Sequence, residues 1–118
     1  MTIFYNYAFP LLVALDMPQK VRVAVCGFGR AGKIHCANLL TCHLADVVAV
    51  VELEAAFESA TLALQGMGVD NPASLLVSQD AFFNNLVKSD KIDAVVITTP
   101  TPDHTRWVQG TLTLIFPI

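Results

Sequence analysis

Charge is scarce in this sequence. Only 14% of its 118 residues are Asp, Glu, Lys or Arg, against about a quarter in an ordinary soluble domain. With 54% hydrophobic residues, the chain is excluded from the disordered tails and charged coiled coils, which have too little apolar material or too regular a charge pattern. Basic runs are missing as well. The seven Lys and Arg are scattered and the net charge is -3, which leaves no electrostatic footprint for a nucleic-acid partner. Cysteine is sparse and odd in number, and Cys26, Cys36 and Cys42 show no CxxC spacing. Neither a disulfide framework nor a zinc site is expected, and reduced thiols suit a cytoplasmic protein.

A bilayer-length apolar run is absent too. Residues 1–15 are strongly apolar, but Pro10 interrupts them and Asp16 ends them, short of the roughly 20 residues a membrane span needs. No basic stretch precedes Ile3, as a secretory signal requires, and the basic face of a membrane-surface helix is missing. Residues 1–19 therefore read as an apolar extension, a strand or arm packed on the domain, with Met17-Pro18-Gln19-Lys20 as the junction. The length suits one domain rather than an ordinary two-domain enzyme.

From Val21 onward, apolar runs alternate with helical patterns. Val21-Arg22-Val23-Ala24-Val25-Cys26 is a short β-branched run that predicts a buried strand. A helix is expected next, with Ala31, Ile34, Ala37 and Leu40 on its inner face. Val47–Val51 predicts a second strand ending at Glu52, followed by a helix that buries Ala56, Phe57, Ala60 and Leu64 and stops at Gly66 or Gly68. Leu75-Leu76-Val77 is a short third strand, and Ser78 or Asp80 is the candidate cap of a helix presenting Phe82, Phe83, Leu86 and Val87. Ala94–Thr98 is the clearest strand of this half. The βαβαβαβ order predicts an α/β fold of about four parallel strands with helices on both faces.

The chemistry gathers at the junctions. Gly27-Phe28-Gly29-Arg30-Ala31-Gly32 is a GxGxxG turn between a strand and a helix, the setting in which this motif has a physical meaning. Gly27 allows a sharp turn, Gly29 lets a pyrophosphate approach the backbone, and Gly32 lets helix and strand pack closely. The N–H groups at the helix start attract phosphate. Twenty residues after Gly32, Glu52 stands where a carboxylate accepts the hydroxyls of an adenosine ribose. That charge repels a 2′-phosphate, and neither Leu53 nor Glu54 offsets it, so NAD is favoured over NADP. Arg30 pulls the other way, since it lies in the turn and is long enough to reach a phosphate. A tight turn in a fold that binds nothing is the competing reading.

A third feature, Thr98-Thr99-Pro100-Thr101-Pro102-Asp103-His104, lies beyond the last strand, at the end of the sheet where open α/β folds bind ligands. Its prolines fix the backbone and its threonines offer hydroxyls to a ribose or pyrophosphate. Asp103 is positioned to cap a helix starting near His104.

Residues 20–109 resemble the N-terminal domain of the glucose–fructose oxidoreductase and inositol dehydrogenase family, Gfo/Idh/MocA. Three blocks carry the resemblance: VRVAVCGFGRAGKIHCANL, VVAVVE and DAVVITTPTPDHTRWV. It implies a Rossmann domain, spanning residues 20–110 here, of an oxidoreductase acting on sugars, cyclitols or similar polyols with NAD or NADP. It also implies that Gly27, Phe28, Gly29, Arg30, Ala31 and Gly32 form the pyrophosphate turn and that Glu52 takes the ribose. By the same resemblance, Thr99, Pro100, Thr101 and His104 line the cofactor near its nicotinamide half. His35 and Trp107 are expected to serve packing or solvent roles.

The departures from the family are as specific as the matches. The family's next strand ends in a Glu-Lys-Pro motif whose lysine positions substrate, and a second domain follows. Here Gly110 leads into the apolar tail 111–118, and none of Lys20, Lys33, Lys88 or Lys91 stands in that place. A cofactor cradle without a catalytic residue is the expectation, with the second domain absent and open apolar surface available for self-association or a partner chain. A non-catalytic nucleotide-binding or interaction protein is the alternative. A methyltransferase, which also uses a glycine turn and a strand-end acid, gives the TPTPDH loop no role.

Overall fold

A computed structural model describes residues 2–5, 20–86, 91–100, 102 and 105–109. Thr2–Tyr5 form β1, Val21–Cys26 β2, Ala45–Glu52 β3, Leu76–Ser78 β4 and Ala94–Ile97 β5. One five-stranded sheet results, in the order β1-β5-β2-β3-β4. The four strands β5, β2, β3 and β4 run parallel, and β1 lies antiparallel on the outer edge of β5. Apolar runs at β2 and β5 fit this placement, because a central parallel strand is covered on both faces. All four residues of β5 are buried, as are Val23 to Cys26 of β2.

Arg30–Leu40 form α1 and Phe57–Gly66 form α2. Both cover one face, where Cys36, Ala60 and Leu64 pack on Val25, Val47 and Val50. Val47 and Val50 share that face despite their odd spacing because the register between β2 and β3 shifts after Val23, leaving Val48 as an extra residue. On the opposite face Phe82 and Trp107 pack on Ala24, Cys26, Ala49, Val51, Val95 and Ile97. Phe82 belongs to a segment, α3, that begins at Gln79–Ala81 and widens into a π turn at Phe82–Leu86. Trp107 lies on α4, residues 105–109.

Several expectations are corrected in detail. Helix α1 buries Gly32 and Cys36, whereas Ala31 and Ile34 are exposed. Contact at Gly32 sets the rotation of this helix, and the hydropathy spacing that nominated Ile34 does not. Strand β3 begins at Ala45, two residues before the expected start, and Leu75 precedes β4 as the C-cap of a turn at Pro72–Ser74. Thr98 lies just past β5. Ser78 is the cap of α3, its Oγ accepting the Ala81 N–H at 3.2 Å. Gly68 supplies the positive φ (90°) beyond the end of α2, and its N–H bonds the Gln65 carbonyl. Val87, residues 6–19 and the tail 111–118 lie outside the described residues. Among the described residues, no helix is long and apolar enough to cross a membrane.

At the amino end of the sheet, Arg22 and Asp93 tie β2 to the start of β5. The guanidinium donates Nε to Oδ2 at 3.0 Å and Nη2 to Oδ1 at 2.9 Å, and the Arg22 N–H adds a third bond at 2.9 Å. These contacts hold the Asp93 carboxyl below its ordinary pKa, the side-chain hydrogen bond from Arg22 contributing most.

Candidate functional site

The carboxyl ends of β2, β3 and β5 adjoin, so the glycine turn, Glu52 and the loop after Ile97 meet at one edge of the sheet. The three glycines of the turn are there for three different reasons. Gly27 has φ +94°, and a Cβ on it would lie 2.9 Å from the Thr99 nitrogen. Gly32 sits so close to the turn that a Cβ would meet the Gly27 carbonyl oxygen at 2.0 Å. Gly29 is under neither constraint. Its φ of -77° is open to any residue, and nothing lies within 4 Å of where its Cβ would be. The chain's own packing does not require glycine at this position, but a ligand laid against the backbone would.

Gly29, Arg30 and Ala31 are exposed at the start of α1. That helix has no side-chain cap and no acidic residue in its first turn, leaving its first N–H groups and dipole to an anion. Phe28 differs from its neighbours. The residue is 4% exposed and its side chain packs with Val25, Cys36 and Leu64, away from the open end of the turn.

Glu52 ends β3 directly beside the turn. Its Oε2 accepts the Phe28 N–H at 2.9 Å and its Oε1 accepts the Leu53 N–H at 2.8 Å. The carboxylate is thus oriented by two backbone donors, with Leu53 exposed alongside. On the other flank, Thr99 is 7% exposed and Pro100 is exposed. Thr101, Asp103 and His104 lie outside the described residues.

One residue of the site was not singled out by its sequence pattern. The Thr98 hydroxyl lies 2.9 Å from the Gly27 carbonyl oxygen and 3.1 Å from that of Cys26. Its only sequence signal was membership of the threonine-rich loop, which says nothing about its neighbour across the sheet. The cysteines near the turn offer no reactive thiolate. Burial pushes the Cys36 thiol up to about 11 and the Cys26 thiol well above its ordinary value.

Comparison with known proteins points the same way. A family described as "Oxidoreductase family, NAD-binding Rossmann fold" (Gfo/Idh/MocA) matches residues 21–114. Inositol 2-dehydrogenase 1 of Paenarthrobacter aurescens (strain TC1) is 34% identical over 103 residues, covering 86% of this chain and 28% of the relative. The crystal structure of apo scyllo-inositol dehydrogenase from Lactobacillus casei superposes with a TM-score of 0.61 at 27% identity, over 83% of this chain and 27% of that one. A second structure of that enzyme, at 77K, gives 0.60 and the same identity. The chain therefore spans little more than a quarter of the length of these relatives.

Proposed function

Because the chain belongs to the Gfo/Idh/MocA oxidoreductase family, we propose that its glycine turn cradles the pyrophosphate of a nicotinamide dinucleotide, NAD in preference to NADP. The observation that carries this reading is Gly29, a glycine that neither φ nor internal contact demands and that stands over uncapped N–H groups. Glu52 supports the choice of NAD. Its carboxylate is held beside the turn by two backbone donors, and Leu53 and Glu54 bring no cation to hold a 2′-phosphate. Thr99, Pro100, Thr101 and His104 are assigned to the nicotinamide half.

When bound, the nicotinamide supplies hydride chemistry. This chain's residues bind and orient the cofactor, and none of them is assigned to proton transfer. The two inositol dehydrogenases among the relatives support a cyclitol, sugar or similar polyol as the substrate of the complete catalytic unit. An open apolar cavity of about 180 Å³ between α1 and the β2–β5 face, lined by Val21, Val23, Leu39, Leu44, Ala94 and Val96, supports association with further polypeptide. The reduced, unpaired cysteines support a cytoplasmic location.

Titration of the folded protein with NADH, followed by cofactor fluorescence, tests the reading. Saturable binding is expected, with weaker binding of NADPH, and Gly29→Val should weaken NADH at least tenfold without lowering the unfolding midpoint. Folded wild-type protein that shows no saturable binding overturns it.

A further inference from the structure

The backbone of the glycine turn is gripped from both sides. From β3, the Val51 carbonyl accepts the Gly27 N–H at 2.9 Å and Glu52 accepts the Phe28 N–H at 2.9 Å. From β5, the contact comes through Thr98. Its N–H donates to the Cys26 carbonyl at 2.8 Å, continuing the strand ladder by one residue. That bond already serves Cys26, so the hydroxyl proton is free to go to the Gly27 carbonyl, the nearer of its two acceptors at 2.9 Å. Gly27 is buried, and a buried carbonyl that loses its donor keeps its desolvation penalty.

The same carbonyl is the seat of α1. A Cβ on Gly32 would strike the Gly27 oxygen at 2.0 Å and the Thr98 Oγ1 at 2.8 Å. The hydroxyl therefore touches both the carbonyl of the first glycine and the space kept clear by the third. Any shift of the Gly27 carbonyl moves the turn and the first N–H groups of α1 together. Recognition through rigid backbone donors tolerates only about half an ångström of such movement.

We propose that Thr98 is a positioning residue, whose hydroxyl sets the distance between the glycine turn and the start of α1 and so prepares the backbone for a pyrophosphate. This rests on the dinucleotide-binding reading above and adds to it a residue that need not touch the cofactor. Valine has the shape of threonine without the donor, and serine keeps the donor without the methyl group.

The experiment compares wild type, Thr98→Val and Thr98→Ser, each titrated with NADH and, by competition, with ADP-ribose, which carries the pyrophosphate but no nicotinamide. Unfolding midpoints are recorded alongside, and binding is measured well below them. Thr98→Val should weaken both ligands by about the same factor, roughly tenfold for one lost hydrogen bond, and Thr98→Ser should recover most of the loss. Unchanged affinity in Thr98→Val, with or without a lower midpoint, overturns the proposal. So does a loss confined to NADH, which would place Thr98 on the nicotinamide, or a serine variant as weak as the valine one. Wild-type protein that binds neither ligand instead brings down the dinucleotide reading itself.

Discussion

Glu52 reaches back to Phe28, its Oε2 accepting the Phe28 N–H at 2.9 Å while its Oε1 takes the Leu53 N–H at 2.8 Å. The strand-end acid proposed to take the ribose is a brace for the turn. Glu52→Gln removes the charge and can present only one acceptor to the two donors. We expect it to lose about 1–2 kcal/mol of stability in urea unfolding without any cofactor, and to bind NADH more weakly as well. A variant as stable as wild type would show that the brace contributes nothing.

The three glycines should separate cleanly in melting experiments. Gly32→Ala places a Cβ 2.0 Å from a backbone oxygen, so the helix must withdraw, and a loss of about 3 kcal/mol or more is expected. Gly27→Ala combines positive φ with a 2.9 Å approach to Thr99 N and should cost about 1–3 kcal/mol. Gly29→Ala should melt at or slightly above the wild-type temperature, since its backbone is ordinary and its Cβ meets nothing. A destabilised Gly29→Ala would mean that folding, rather than ligand space, selects glycine there.

Acid should unlock the amino end of the sheet. Asp93 has a depressed pKa because of Arg22, so the unfolded chain takes up its proton first as pH falls. The stabilisation is full above the ordinary carboxylate value of about 3.9 and disappears as pH drops through the lower folded value. Asp93→Asn should therefore be less stable than wild type at pH 7, by about 2 kcal/mol for a buried carboxylate that accepts three hydrogen bonds from Arg22. Urea midpoints taken down to pH 2 should show the gap closing. A gap that does not change with pH would exclude the ion pair as its source.

Thiol chemistry should be confined to one position. Cys42 is exposed while Cys26 and Cys36 are buried, and with a pKa of about 11 Cys36 is thiolate in only about one molecule in a thousand at pH 8. Ellman's reagent should give one fast equivalent from native protein and three after denaturation. Cys42→Ser should abolish the fast phase. Two or three fast equivalents from native protein would contradict the packing around α1.

Much of this fold is legible in the chain because its signals are local. The β-branched run before Gly27, the glycine spacing and the acid at Glu52 each fall within a few residues of the element they define. The face of α1 was not legible. Hydropathy nominates Ile34, yet Ile34 is 52% exposed, because the Gly32 contact decides the rotation and involves atoms that hydropathy does not weigh. Thr98 was hidden for a related reason, since its partner Gly27 is brought beside it only by the strand order β5-β2. Phe28, read as part of the cofactor turn, turns its ring into the core. No sequence period distinguishes a turn residue facing a ligand from one facing inward.

The antiparallel strand at the sheet edge has a consequence for the order of assembly. Thr2 pairs with Ile97 and Tyr5 with Ala94, so β1 must wait for a partner made some ninety residues later. During synthesis, this uncharged segment stays without its sheet partner while the whole of β2 to β4 is made. Until β5 is made, an apolar strand with neither proline nor charge to guard it is available to other chains. The folding yield should depend on how quickly that long loop closes.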